Sequence, residues 1–421
     1  MITSRTSLST TLLLAVASMP SRAGETAKNP APATATAPAT NWLTGENVSI
    51  GGILFPHIHF SAVYGRTSSE LGHELGAGHH DPVEDGWTVQ GFELGLSARI
   101  NEHVEGFAVW HAFWENESPH DFGSEFEEYF LKLKDLPGGL ELRGGNYLNR
   151  FGLHNATHFH AWDWADNHFV NGRFLGDDSQ HTLGGELTWN LPVSWTSALS
   201  VSYGEAQLEA HEHEEEEAEG DEPLFEGAGA FFADRLAIAN WTNVWNPNDF
   251  HQWRFGISGA WGDNVWGRRT EVYGAHVQYE WRKNGVERGG DYFRWRTEAM
   301  LREADAMTGH LPGEQPDDGD DHEESVPGSF REWGLYTSAV YGKALRRGVL
   351  EGGLRFDYVE GVSDAGLPRR HRFSPGVTYY FNSLRTAFIR GQVNFDDIEG
   401  HGSETSVWLS AGFNWGGPEV R

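Results

Sequence analysis

No cysteine occurs anywhere in the 421 residues, which excludes a disulfide framework and any thiolate metal site. Long apolar runs are missing too. The mostly apolar stretch from Thr11 to Met19 is too short to cross a bilayer as a helix, and nothing later approaches the required length. Basic residues are scarce, 31 against 61 acids, for a formal charge of −30. That balance disfavours nucleic acid and anionic substrates and favours cations. Signatures of catalysis are also lacking. There is no G-x-S-x-G elbow and no phosphate loop. His73-Glu74 has no second histidine at metalloprotease spacing, and Gly72, Gly76 and Gly78 would break the helix that motif needs. No enzymatic activity and no nucleic-acid partner are expected.

At the start of the chain, Arg5, the stretch Thr11 to Met19 and Ser21-Arg22-Ala23 have the order of a secretory signal. Residues 1–23 are expected to be a cleaved signal peptide. Its removal takes away two arginines and no acid, leaving −32. Residues 24–46, rich in Ala, Pro and Thr, read as a disordered linker. Residues 47–421 read as one domain.

Within that domain aromatics are abundant, with 25 Phe, 18 Trp and 12 Tyr, although the hydrophobic fraction is only 38%. Alternation with period two dominates. From Val48 to Tyr64 the even positions are apolar, small or proline, while Ser49, His57, His59 and Ser61 hold the odd ones. Similar sets are Phe92-Leu94-Leu96, Leu199-Val201-Tyr203, Leu350-Gly352-Leu354-Phe356 and Val407-Leu409-Ala411-Phe413-Trp415. In a strand this sends one set to each face. The prediction is an all-β transmembrane antiparallel barrel of about 16 strands in the cell outer membrane, its aromatics at the interfaces and its polar face inside. Short turns (Asn101-Glu102, Asp135 to Gly139, Asn190 to Ser194, Asn246 to Asp249, Lys343 to Arg347, Asn382 to Leu384) are expected to alternate strictly with longer extracellular loops.

The opposite parity predicts a lumen lined by His57, His59, Glu93, Arg99, His111, His276, Glu280, Arg294 and Arg296 among others. So many charged groups imply a hydrated bore, since unpaired burial is costly. Histidine and acid gather in the segments expected as loops: His73, His79, His80 and Asp81; His154, His158, His160, Asp163 and His168; His211 and His213 before a glutamate run; and His322 in an acidic stretch. Imidazole and carboxylate suit zinc and its neighbours. Acidic runs can equally be solvated surface. The third loop, Arg150 to Gln180, is expected to fold inward, with His57, His59 and His276 as lower-affinity steps below it.

Glu141-Leu142-Arg143-Gly144-Gly145, Arg150-Phe151-Gly152 through His158-Phe159-His160, and Arg173-Phe174-Leu175-Gly176-Asp177-Asp178 resemble porin-like outer-membrane proteins related to the phosphate-selective porins O and P. A subgroup of these is described as zinc-regulated outer-membrane receptors. The likeness covers about a quarter of the chain. It implies an outer-membrane location and a role in metal acquisition. The sequence lacks a dense Arg/Lys lumen ladder, which argues against phosphate selectivity.

The resulting expectation is a channel for divalent metal ions, zinc foremost, as transported or loop-bound ion and not as a resident cofactor. Alternatives are a general non-selective porin and a surface metal-binding or adhesive barrel without an open pore. Expected partners are outer-membrane lipid and lipopolysaccharide, the barrel-assembly machinery and, by analogy, two further copies in a homotrimer.

Overall fold

The computed structural model describes residues 41–42, 44–68, 77–78, 81–82, 85–114, 122–176, 179–207, 230–287, 289–307, 327–417 and 419–420. Residues 1–40 lie outside these, and with them the expected signal peptide and most of the linker. So do His73, His79, His80, His211, His213 and His322.

Sixteen strands are present among the described residues. They are β1 (Leu54–Thr67), β2 (Gly86–Arg99), β3 (Val104–Trp114), β4 (Phe122–Leu136), β5 (Leu140–Leu148), β6 (His181–Asn190), β7 (Thr196–Gln207) and β8 (Phe232–Asn248). The second half comprises β9 (His251–Asn264), β10 (Arg269–Arg282), β11 (Tyr292–Met307), β12 (Pro327–Ala344), β13 (Val349–Val359), β14 (Arg370–Tyr380), β15 (Ala387–Ile398) and β16 (Gly402–Gly416). Each pairs antiparallel with its sequence neighbours, and β1 pairs with β16, closing the barrel. Closure leaves no edge strand with unpaired backbone groups.

The alternation seen in the sequence is realised strand by strand. In β13, Leu350, Leu354 and Phe356 are exposed on the outer face, and Glu351, Arg355 and Asp357 are buried inside. Aromatics border the apolar outer belt at both ends. Tyr64 on Trp87, Trp261 on Tyr273 and Trp333 on Tyr358 lie at one rim. Trp253 on Tyr279, with Trp189, Trp195 and Trp245, lies at the other. Amphipathic rings placed so are at home at membrane interfaces.

Two expectations need correction. Connection lengths do not alternate strictly: residues 265–268 and 399–401, on the long-loop side, are tight turns, whereas residues 283–291, on the turn side, make a longer link. Strand pairing is set by which face each side chain must occupy, so loop length is free to vary. The end of the expected linker is also tied down. Asn41 bridges Glu46, the Trp415 indole donates to the Trp42 carbonyl, and the Gly416 amide donates to Thr44.

Candidate functional site

The connection from β5 to β6, residues 149–180, enters the barrel and crosses it, as the sequence led one to expect. Its neck is closed by the Asn149 amide donating to the Gln180 carbonyl (3.0 Å) and by Asn149 Nδ2 donating to Thr182 Oγ1 (2.7 Å). The loop then turns inward at Gly152, whose φ of +62° favours glycine. There the Gly152 amide meets Ser258 and the Leu153 amide meets the Glu298 carboxylate. A single 3-10 turn, Phe159–Ala161, and the helix α1 (Phe169–Leu175) complete the loop.

One side of the loop is anchored by ion pairs to the wall of β11 to β15. Asp163 pairs with Arg294 and with Arg296 (3.1 Å). Asp166 pairs with Arg355 (2.8 Å) and Arg372 (2.6 Å), and Arg390 donates to the carbonyls of Trp162 and Trp164. Burial opposes ionisation of Asp163 and Asp166, but the arginines around each outweigh it and hold both carboxyls below their ordinary range. His168 Nδ1 meets Asp357 at 3.0 Å, and His154 Nε2 meets Asn167 at 2.8 Å. Burial, then the charge of His168, pushes His154 well below the usual imidazole range. From the first loop, Asp81 accepts the amides of Ala77 and Asn167, both at 2.6 Å.

His154, Asp163, His168 and Asp81, expected as loop ligands for metal, lie outside the His/Glu sets on the other wall. His154, His168 and Asp81 are buried and Asp163 is partly so, and their contacts hold the loops in place.

The other side of the loop carries His158 and His160 onto the wall of β1, β2 and β4. His158 Nδ1 lies 3.1 Å from Glu93 Oε1 and 3.0 Å from Glu127 Oε2, and its Nε2 lies 2.8 Å from Glu128 Oε2. His160 Nδ1 lies 2.6 Å from Glu93 Oε2. His59 stacks on His160 with ring centroids 3.7 Å apart, and its Nε2 is 3.3 Å from Glu419 Oε1. Glu419 follows β16 and also faces His160 Nε2 at 3.6 Å. Gly91 makes room here: a Cβ at that position would collide with His111 and Phe159. Three sets of ligand atoms lie within 4.8 Å of one another: Glu93, Glu127 and His158; His59, Glu93 and His160; His57, His59 and Glu419.

The expected lumen residues divide. His57, His59, Glu93 and His111 belong to this cluster or its border, His111 through its contact with Phe159. His276, expected as a step below the third loop, is buried on β10 and lies outside the three ligand sets. Arg99 lies over the Phe55 ring, Glu280 pairs with Arg282, and Arg294 and Arg296 anchor the loop.

Glu127, Glu128 and Glu419 were missed from the sequence. Strict alternation around Tyr129 places Glu127 outside. A bulge opposite Val109 and Trp110 inserts one residue, so Glu127 and Glu128 both turn inward between the exposed Phe126 and Tyr129. Two successive acids between aromatics were the available signal. For Glu419, beyond the last strand, no periodicity applied.

No family model matches the chain. A protein of Aquifex aeolicus (strain VF5), described only as uncharacterized, is 28% identical over 142 residues, 33% of this chain. The matched stretch spans 29% of that relative's length. Among solved structures, the high-pH structure of Pseudomonas putida OprB superposes with a TM-score of 0.50 at 11% identity, covering 86% of this chain and 94% of that one. An anion-selective porin from Comamonas acidovorans gives 0.49 at 11% identity, covering 86% and 99%. The trimer form of Vibrio cholerae OmpT, an outer membrane protein, gives 0.47 at 10% identity, covering 86% and 99%. At such identity the likeness to OprB is one of fold: a closed antiparallel barrel of the outer-membrane porin type.

Proposed function

We propose that this protein is an outer-membrane channel that admits divalent metal ions, zinc foremost, past a constriction formed by its third loop. Residues 1–23 serve as the export signal and residues 24–40 as a tether. Lipid and lipopolysaccharide surround the apolar belt, the barrel-assembly machinery folds the chain, and three copies associate. The observation that supports the metal reading is the placement of His158 and His160 against Glu93, Glu127 and Glu128 inside the bore. Imidazole and carboxylate together make a borderline donor set suited to zinc. The acidic balance adds a long-range field that draws cations in.

One observation favours a less selective porin. A cavity of about 750 Å³ at the short-turn end is lined by Arg282, Arg294, Arg346, Arg347 and Arg385 with Glu280 and Glu287, a mixed lining of positive balance that does not favour cations. Reversal potentials across planar bilayers, with zinc chloride on one side, separate the two readings. Cation selectivity that disappears in His158→Ala/His160→Ala is expected. A pore that prefers chloride and is indifferent to that substitution would overturn the zinc assignment.

A further inference from the structure

The cluster on β1, β2 and β4 has an organisation beyond the presence of suitable side chains. In each of three histidines, one ring nitrogen is already committed to a partner on its outer side. His158 Nε2 faces Glu128 Oε2 at 2.8 Å, and Glu128 is itself fixed by the Leu148 amide at 2.7 Å. His59 Nδ1 faces Asn414 Oδ1 at 3.2 Å, and His57 Nε2 faces Ser97 Oγ at 2.8 Å. The remaining nitrogens of His158 and His59 are aimed at Glu93, Glu127 and Glu419. An imidazole tied at one nitrogen by a carboxylate or amide oxygen, with the other presented to a shared point, is the arrangement by which proteins fix a metal-ligating tautomer.

Glu93 holds the centre. Its Oε1 faces His158 and its Oε2 faces His160. Around Oε1 stand Glu127 and His158; around Oε2 stand His160 and His59, with Glu419 closing the far side. A carboxylate that offers one oxygen to each of two ligand sets is a bridge.

We infer that Glu93 bridges a pair of divalent cations, one held with Glu127 and His158, the other with His59 and His160, and that Glu128 and Asn414 are positioning residues. The ligand class is a borderline ion such as zinc, bound by nitrogen and oxygen at about 2.0–2.2 Å. At the first centre the ion would take His158 Nδ1, the ring nitrogen that faces Glu93 and Glu127. The inference deepens the metal reading above but does not require that the ion be transported.

The test is zinc content of the full chain folded in detergent, by equilibrium dialysis at fixed free zinc with elemental analysis. The difference from wild type is the readout, so zinc held elsewhere, as at His211 or His322, cancels. Glu93→Gln should lose both ions and His160→Ala at most one. Glu128→Gln should keep both at saturation while its affinity falls about 10- to 100-fold. His371→Ala, on the outer side of β14 beside Phe356, should match wild type. Heat-dependent gel mobility reports that each variant is folded. Cobalt provides a second readout: its visible absorption should weaken in His158→Ala, even if zinc content is obscured. A folded Glu93→Gln with wild-type zinc, or a Glu128→Gln with unchanged affinity, overturns the inference. Binding without zinc conductance would instead defeat the transport reading and leave this one standing.

Discussion

The Asp166 carboxylate lies 2.6 Å from the Arg372 guanidinium, joining the middle of the third loop to β14 across 206 residues of sequence. Both side chains are almost wholly buried, and Arg355 completes the anchor at 2.8 Å. Asp166→Asn would remove the carboxylate that Arg355 and Arg372 share, leaving Arg355 with Asp357 and Arg372 with Asp396. Because neither charge is left uncompensated, the cost should be about 1–3 kcal/mol, that of buried hydrogen bonds left unmade. Denaturant titration in detergent should show a loss of that order, and single channels should gain conductance as the loop leaves the bore. An unchanged midpoint would show that the pair contributes nothing to anchoring.

Acid and alkali should loosen the loops at different places. Asp166, held below its ordinary range because its arginines outweigh its burial, ties the loop at full strength above the unfolded carboxyl value of about 3.9 and loses that tie as pH falls below it. Asp81 is pushed up to about 7, by burial first and then by the charge of Asp166. Its raised value means a contribution that is complete below about pH 4 and lost as pH rises through 7. Hydrogen exchange, corrected for intrinsic rate, should find the Ala77 and Asn167 amides better protected at pH 5 than at pH 8. Equal protection would contradict the assignment.

Gly152→Ala tests the loop's point of entry. A Cβ there would overlap the Glu298 carboxylate, and the backbone φ of +62° disfavours any side chain. The destabilisation should exceed the roughly 0.4–1 kcal/mol by which the same replacement stabilises at a compatible site. Thermal unfolding and channel noise are the measurements. A variant with a quiet, wild-type conductance would mean that the turn is freer than the geometry implies.

The outer face can be probed at Leu354, mid-strand in β13 and 53% exposed. Leu354→Arg should cost about 2–4 kcal/mol if that position meets the bilayer core. Folding into vesicles, followed by urea titration, measures it. If the variant were as stable as wild type, Leu354 would not face lipid.

Much of this architecture was legible because a strand has only two faces. Leu350, Leu354 and Phe356 against Glu351, Arg355 and Asp357 is a local pattern that needs no knowledge of partners. The candidate site was less legible for the same reason. His158 and Glu93 are 65 residues apart, and their meeting depends on the path of a loop that carries no period. Parity also fails wherever a bulge intervenes, as at Glu127. It fails again at Glu419, which lies past the last paired residue. Asp163 and His168 looked like ligands because residue type alone does not distinguish a metal donor from an ion-pair partner. That distinction came from Arg294, Arg296 and Asp357 on the facing wall.

The third loop leans on β2 and β4 through His158 and on β13 to β15 through Asp166 and Arg390, so its two supports come from opposite halves of the polypeptide. A sheet still open along the seam between β1 and β16 contains both supports but does not hold them at the separation the loop spans. The expected order is that the cylinder zips shut before its obstruction is installed, so that the newly closed pore passes through an unobstructed moment. Because the chain has no native thiol, a single cysteine at the buried Ala165 of the loop would time that moment by its labelling during refolding. Protection that arrived before seam closure would reverse the order.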